Sequence, residues 1–194
     1  MSTSSPTSGL TQPPKRADAR RNYDKLLAAA NAAFTEKGSD ASLEDIARRA
    51  GVGIGTLYRH FPTRQALLEA VYIGEVEEMS RKAAGLTDLD PWDALRTWLH
   101  EFVGYAATKR ALADELLATI DAEAPVFVAC RTAITDAGEL LLRRAQDAGV
   151  VRADTSFSDV GRMVSGIAAI RNADPGQTER ILDLALDGLR VRPA

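Results

Sequence analysis

The sequence predicts an all-α fold, and two features carry that prediction. Apolar side chains recur three or four residues apart through most of the chain, the spacing that gathers them on one face of an α-helix. Capping residues precede several of these segments, and Gly38, Gly51 and Gly149 follow three of them. Hydrophobic residues make up 45% of the 194 residues, so we expect a sizeable core.

The composition argues against several classes of protein. No apolar run approaches the roughly 18 residues of a membrane span, and the N-terminus lacks the apolar segment of a signal peptide. We therefore expect a cytoplasmic protein with no membrane partner. Cys130 is the single cysteine, and His60 and His100 lie far apart, which disfavours disulfides and a metal site. With no nucleophile elbow and no phosphate loop, we expect neither an enzyme nor a cofactor.

Charge is distributed unevenly along the chain. The net charge is −3, yet residues 15–64 hold ten Lys and Arg against six Asp and Glu, or +4. Residues 65–194 hold fourteen against twenty-one, or −7. This asymmetry is expected where only the front of a molecule meets nucleic-acid phosphate.

The N-terminus reads as a tail followed by a basic arm. Residues 1–14 are rich in Ser, Thr and Pro with little to bury, which predicts disorder. The cations that follow could lie along phosphate or enter the minor groove, with a solvated charge run as the alternative. They are Lys15, Arg16, Arg20 and Arg21.

Two short helices joined by a glycine turn are predicted in residues 42–61. Ser42 is placed to cap the first helix, with Asp45 at the capping-box position, and Gly51 ends it. The second helix is predicted from about Ile54 to Phe61, with Ile54, Leu57 and Phe61 on one face. Its other face carries polar side chains, namely Thr56, Tyr58, Arg59 and His60. Such a helix-turn-helix suits a DNA reader, although many amphipathic helix pairs bind no nucleic acid.

Further helices surround this pair. We predict a first helix over about Arg21–Lys37 and a helix beginning at the capping residue Thr63. Five more helices are predicted in the second half of the chain. Three lie at about 92–108, 111–120 and 125–148. The fourth follows a capping box at Ser156 and Asp159, and the fifth follows Asp174.

The front of the chain resembles the DNA-binding domain of the TetR family of bacterial transcriptional regulators. The resemblance runs from Tyr23 to about Leu68 and lies in LLAAANAAFTEKG, SLEDIARRAGV, GTLYRHF and PTRQALL. The stretch near Gly138–Asp159, with LLLRRAQDAGVVRADTSFSD, is also similar to the SbtR-like subgroup. The resemblance implies a three-helix DNA-binding domain at 15–64. It also implies a larger helical ligand-binding and dimerisation domain at 65–194 that includes the linker helix.

The resemblance also implies which residues meet DNA. The second helix would enter the major groove of a palindromic operator, with Arg59 reading a base or else contacting phosphate. The chain departs from the common pattern at Gly53, where a capping Ser or Thr is frequent, and at Ile54, where a polar reader is frequent. Ile54 would then meet a thymine methyl or simply pack. The other DNA contacts implied are Ser42, Thr56, Tyr58, His60 and Arg64.

In TetR-like proteins the last two helices form a four-helix homodimer interface, and a small-molecule effector releases the DNA. The alternative for the last helix is burial within the monomer. The interface would hold Val164, Ile167, Ile181, Leu182, Leu186 and Leu189. The effector pocket would be lined by Trp98, Phe102, Tyr105, Phe127, Thr132 and Asp136, for each of which plain packing or surface exposure is the alternative reading.

Repression is the family's usual mode of regulation. The competing reading is a helical protein-interaction adaptor whose front domain binds DNA without specificity or not at all. A salt-dependent affinity for DNA would separate the two readings.

Overall fold

The computed structural model describes residues 14, 16–118, 120–170 and 174–191. These residues form eight α-helices, one 3₁₀ turn and a lone antiparallel bridge between Val151 and Arg190, which confirms the all-α prediction. Residues 1–13 of the predicted tail, and Lys15 of the predicted arm, lie outside the described residues. The described part of the chain holds no helix that is long and apolar enough to cross a membrane.

The helices follow one another with short connections. Their bounds are α1 Ala17–Lys37, α2 Leu43–Arg49, α3 Ile54–His60, α4 Arg64–Gly85, α5 Pro91–Leu117, α6 Pro125–Asp147, α7 Phe157–Ala168 and α8 Pro175–Asp187. The 3₁₀ turn, Gly38–Asp40, lies between α1 and α2.

The predicted helix boundaries at capping residues and glycines are confirmed. Ser42, Ser156 and Asp174 each accept a hydrogen bond from the backbone N–H three residues on. Gly38 and Gly51 have φ of 52° and 67°, in the region that a side chain disfavours. These local signals therefore determine where the elements end.

Two predicted boundaries are wrong. The first helix begins at Ala17 rather than near Arg21, because Ala17 and Ala19 favour helix and Asp18 suits the positive end of the helix dipole. The predicted break near residues 108–111 is absent, and α5 runs on to Leu117. That stretch contains no Gly or Pro, and the buried Leu112 and Leu116 continue the helical stripe.

The chain divides into two compact units. The first holds the described residues up to Glu77 together with Thr108–Cys130. Its core is apolar, with Leu26, Phe34, Ile46, Leu57 and Leu67 almost fully buried. In this unit α1 and α4 are also joined by a hydrogen bond from Asn31 Nδ2 to Glu75 Oε1 at 2.6 Å.

The second unit holds Glu78–Ala107 and the described residues from Arg131 onward. An aromatic cluster lies in its core: the Trp98 ring stacks on Phe102 at 5.3 Å, and Phe157 lies 5.6 Å from Trp98. On α5, Arg96 Nη2 and His100 Nε2 lie 2.8 and 2.9 Å from Oδ1 of Asp183 on α8. These contacts hold α8 against α5.

Candidate nucleic-acid interface

Helix α2 is fixed at its first turn. The Ser42 hydroxyl accepts from the Asp45 N–H at 3.1 Å, which satisfies one of the free donors at the helix start. Asp45 is only 8% exposed and receives a salt bridge from Lys37 of α1 at 3.0 Å. Arg48 and Arg49 of α2 contact the same carboxylate. Asp45 therefore ties α2 to α1.

The same contacts keep Asp45 charged. The hydrogen bond from Lys37 lowers the pKa of Asp45 below its ordinary value, and the charges of Arg49 and Arg48 act in the same direction, against the effect of burial. The carboxylate is therefore ionised at neutral pH and holds its three cationic partners.

The turn between α2 and α3 contains no side-chain cap. Gly51 takes φ of 67°, and the Val52 N–H returns to Ala47 O at 3.0 Å to close the turn. Gly53 is the N-cap residue of α3 and has no side chain to accept a capping hydrogen bond. Its backbone carbonyl accepts from the Thr56 N–H at 2.8 Å. The expected departure from a Ser or Thr cap is thus visible in the hydrogen bonding.

One face of α3 is buried and the other is open. Leu57 is fully buried and Phe61 nearly so, as predicted. Tyr58 is 46% exposed, and Arg59 is exposed next to it. Ile54 is 38% exposed, so it is less buried than Leu57 and Phe61, and contact with a thymine methyl stays a prediction. It lies at the free first turn of α3, one turn before Tyr58 on the same side.

Thr56 and His60 are half-buried. The His60 ring packs edge-on against Tyr23 of α1, with 6.0 Å between centroids, and Tyr23 lies 5.1 Å from Phe61. These rings hold the end of α3 against α1. The predicted phosphate contacts of Thr56 and His60 stay predictions.

Arg64 is engaged within the protein. Its Nε and Nη2 donate to Glu115 Oε1 at 2.9 and 2.7 Å, and its Nη1 donates to Ala41 O. Its guanidinium also lies 4.9 Å from the centre of the Phe34 ring. A phosphate contact at Arg64 stays a prediction, and it would have to compete with these partners.

The described cations of the predicted arm are not all ahead of the first helix. Arg16 is exposed and extended at the helix N-cap, but Arg20 and Arg21 lie inside α1. Arg20 pairs with Asp24 at 3.2 Å, and Arg21 pairs with Asp18. The prediction that Arg20 and Arg21 lie ahead of the first helix is therefore wrong, whereas their contact with phosphate stays a prediction, since both are exposed on the helix surface.

The residues predicted to line a pocket are distributed over both units. Trp98, Phe102 and Tyr105 stack in the core of the second unit, with Phe102 and Tyr105 centroids 5.5 Å apart. Phe127 belongs to the first unit, where it packs edge-on against Tyr72 at 5.4 Å. The other two, Thr132 and Asp136, are exposed on α6. Packing or exposure accounts for each of the six.

The residues predicted to contact a second copy are mostly covered already. Val164 is fully buried, and Leu182 and Leu186 are each 1% exposed in the single chain. In the single chain these three side chains leave no surface for a partner, which agrees with the alternative reading of burial within the monomer. Ile167 and Leu189 are also buried, and Ile181 is half-buried.

Sequence reasoning missed three residues near this interface. Arg48 has a side chain that is 79% exposed on α2, and Lys37 bridges α1 to Asp45. Glu115, on α5, is the carboxylate that holds Arg64. Helical spacing from Asp45 pointed to Arg48, since salt bridges form three or four residues apart, but no local pattern connects Arg64 with Glu115.

A capped helix, a glycine turn and a second helix with an open polar and aromatic face define a helix-turn-helix DNA-binding protein. Residues 26–71 match the model of the bacterial regulatory proteins of the tetR family. Residues 90–191 match the C-terminal domain of SbtR-like transcriptional regulators. The chain therefore belongs to the TetR family of bacterial transcriptional regulators, as the sequence resemblance implied, and is a DNA-binding regulator rather than an enzyme.

Solved structures and curated relatives agree with this assignment. A TetR regulator from Streptomyces coelicolor is 44% identical, with a TM-score of 0.79 over 88% of this chain and 99% of its own. A TetR regulator from Mycobacterium vanbaalenii is 36% identical, with a TM-score of 0.76 over 92% of this chain and 100% of its own. The transcriptional regulator TtgR of Pseudomonas putida is 26% identical over 91% of this chain and 95% of its own length.

Proposed function

We propose that this regulator is a repressor that binds a palindromic operator as a homodimer, with α3 in the major groove. The observation that carries the proposal is that one face of α3 is buried and the opposite face is exposed. Leu57 and Phe61 anchor the helix while Ile54, Tyr58 and Arg59 are open to solvent. A major groove about 12 Å wide admits one helix presented in this way.

Base reading rests on few side chains. The Arg59 guanidinium can donate two hydrogen bonds to guanine, and exposed Ile54 offers an apolar contact for a thymine methyl. Tyr58 and Thr56 supply hydroxyl groups for phosphate, as does Ser42 at the start of α2. Exposed Arg16, Arg20 and Arg21 on the first turns add positive charge. Such contacts position the protein and make its affinity depend on salt.

We propose that the two copies meet through the outer face of α8. Leu182 and Leu186 face inward, and Leu184, two residues on from Leu182, points to the opposite side of the helix and is 75% exposed. Ile181, one turn before Leu184, is half-buried on the same side. A leucine this exposed beside a half-buried isoleucine gives α8 an apolar outer face, which favours contact with a second copy.

Release of DNA by a small-molecule effector is the remaining part of the proposal. The match of residues 90–191 to the C-terminal domain of SbtR-like transcriptional regulators supports it, since in TetR-like proteins that domain is the ligand-binding one. An effector would act by preferring a dimer whose α3 helices are spaced differently from two operator half-sites, about 34 Å apart. We place this activity in the cytoplasm, where operator DNA is found.

Selection of bound sequences from a random duplex pool tests the operator. We expect an inverted repeat that is bound far more tightly than a scrambled duplex, with an affinity that falls as salt rises. Arg59→Ala should relax the preference at one position of each half-site, whereas Arg162→Ala removes the same charge from α7 and should leave the preference intact. Enrichment of no sequence would contradict the proposal and favour the adaptor reading.

Light scattering during gel filtration tests the dimer. We expect twice the mass of one chain, and we expect Leu184→Glu to yield monomers because it places a charge in the interface. Leu140→Glu is the matched control, since Leu140 is 59% exposed on α6. A wild-type protein that elutes as a monomer at micromolar concentration would contradict this part of the proposal.

A further inference from the structure

The first residue of α4 holds the segment that leads into the helix-turn-helix. Arg64 donates from Nη1 to Ala41 O and from Nη2 to Gly38 O at 3.4 Å. Ala41 immediately precedes Ser42, the cap of α2, and Gly38 immediately follows α1. This guanidinium therefore contacts the backbone at both ends of the segment that leads from α1 into α2.

A carboxylate from a distant part of the sequence orients that guanidinium. Glu115 Oε1 accepts from two nitrogens of Arg64 at 2.9 and 2.7 Å, although the residues are 51 positions apart. The side chains of Arg64 and Glu115 are 31% and 17% exposed, so solvent screens the pair less than it screens a surface ion pair. Both residues belong to the first compact unit.

We propose that Glu115 is a positioning residue for DNA binding, which acts through Arg64 on the entry to α2 and so on the orientation of α3. Without its charge, the guanidinium is free to leave Gly38 and Ala41 for solvent. The Ala41 carbonyl then loses its donor, while the Gly38 carbonyl keeps the Ala41 N–H at 3.2 Å. The helix pair then occupies more orientations. The operator affinity falls in proportion to the fraction of molecules whose α3 keeps the orientation that binds DNA. This inference rests on operator recognition by α3.

The test compares Glu115→Gln with Asp114→Asn. Both substitutions remove one negative charge from neighbouring positions of α5, and Asp114 is exposed. We expect Glu115→Gln to weaken binding of the selected operator by about fivefold or more, the lower end of typical coupling between sites, with Asp114→Asn near wild type. Binding of a scrambled duplex, which depends on phosphate electrostatics, should be the same for both variants.

A variant that is merely destabilised stays folded at a temperature well below its unfolding midpoint, and there it keeps its operator affinity. Two further measurements separate positioning from a general loss of stability. In the free protein, amide hydrogen exchange across residues 38–60 should be faster in Glu115→Gln than in Asp114→Asn. In an Arg64→Gln background, Glu115→Gln should cause no additional loss of operator affinity.

Unchanged exchange together with unchanged operator affinity in Glu115→Gln would overturn the proposal. So would a higher affinity with a steeper salt dependence, which would mean that Arg64 is a phosphate ligand restrained by Glu115. The exchange measurement needs no DNA. If the wild type selects no operator, that result contradicts the proposed function, while exchange still decides whether Glu115 positions the helix pair.

Discussion

Replacing Gly138 with alanine should destabilise the second unit. Gly138 lies inside α6, and a Cβ there would come within 2.1 Å of two atoms of the Phe157 ring and 2.5 Å of a third. Non-bonded carbon atoms pack best at about 3.5–4.0 Å, so the ring would have to move by more than about 1 Å. Phe157 is buried beside Trp98, which leaves it little room to move.

Two opposing contributions set the magnitude. Alanine in place of glycine inside a helix stabilises by about 1 kcal/mol. Overpacking of a tight core costs about 1–3 kcal/mol, and the short distances at Gly138 favour the upper end of that range. The net loss is then about 2 kcal/mol. A chain of this size loses about 2–4 °C of Tm for each kcal/mol, so we expect Tm to fall by about 4–8 °C.

Thermal unfolding followed by circular dichroism measures the change, and Gly161 supplies the matched control. It is also a helix-interior glycine next to Phe157, but a Cβ there would lie 3.5 Å from the ring, an ordinary contact. Gly161→Ala should therefore raise Tm by about 2–4 °C through helix propensity alone. If both alanine variants raise Tm equally, the packing of Phe157 against α6 described above is incorrect.

Three more predictions follow from individual side chains. Leu57→Ala should lower the free energy of unfolding by about 2–5 kcal/mol, because Leu57 is fully buried. Tyr58→Ala should lower it by less than about 0.5 kcal/mol, because Tyr58 is 46% exposed. Equal losses in urea titrations would contradict this. Because Lys37 lowers the pKa of Asp45, the stabilisation by that carboxylate is complete above its ordinary pKa of 3.8 and is lost as the pH falls through the lowered value. Asp45→Asn should therefore flatten the acid limb of stability against pH, and an unchanged acid limb would contradict it. Burial raises the pKa of Cys130 to about 11, so its thiol should react with a disulfide reagent at pH 8 only in denaturant. Fast reaction of the native protein would show that Cys130 is accessible to the reagent.

Local signals made the helix-turn-helix predictable. Ser42 as a cap and Gly51 in a left-handed turn depend on neighbouring residues, and both are present in the structure. The buried face of α3 was predicted at Leu57 and Phe61 because helical spacing identifies a stripe. Helical spacing could not identify where the buried face of α3 begins. Ile54 is 38% exposed, so the first turn of α3 is not part of that buried face.

Helical spacing predicts less where several faces of a helix are apolar. In α8 the residues Leu182, Leu184 and Leu186 are equally hydrophobic, yet two are buried in the chain and Leu184 is 75% exposed. Periodicity shows which residues share a face but not which face meets the protein's own core. The break predicted near residues 108–111 failed for a related reason, since a shift in pattern without Gly or Pro does not end a helix.

The sequence alone determined the helical class, the capped helix-turn-helix, the basic front and the family, because these depend on residue types at short spacing. Only the tertiary structure decided that Glu115 holds Arg64, that Asp45 gathers three cations, and that Leu184 rather than Leu182 faces outward. Those outcomes depend on which residues, distant in sequence, share one small volume. That choice is made by the packing of the whole core, which no local pattern records.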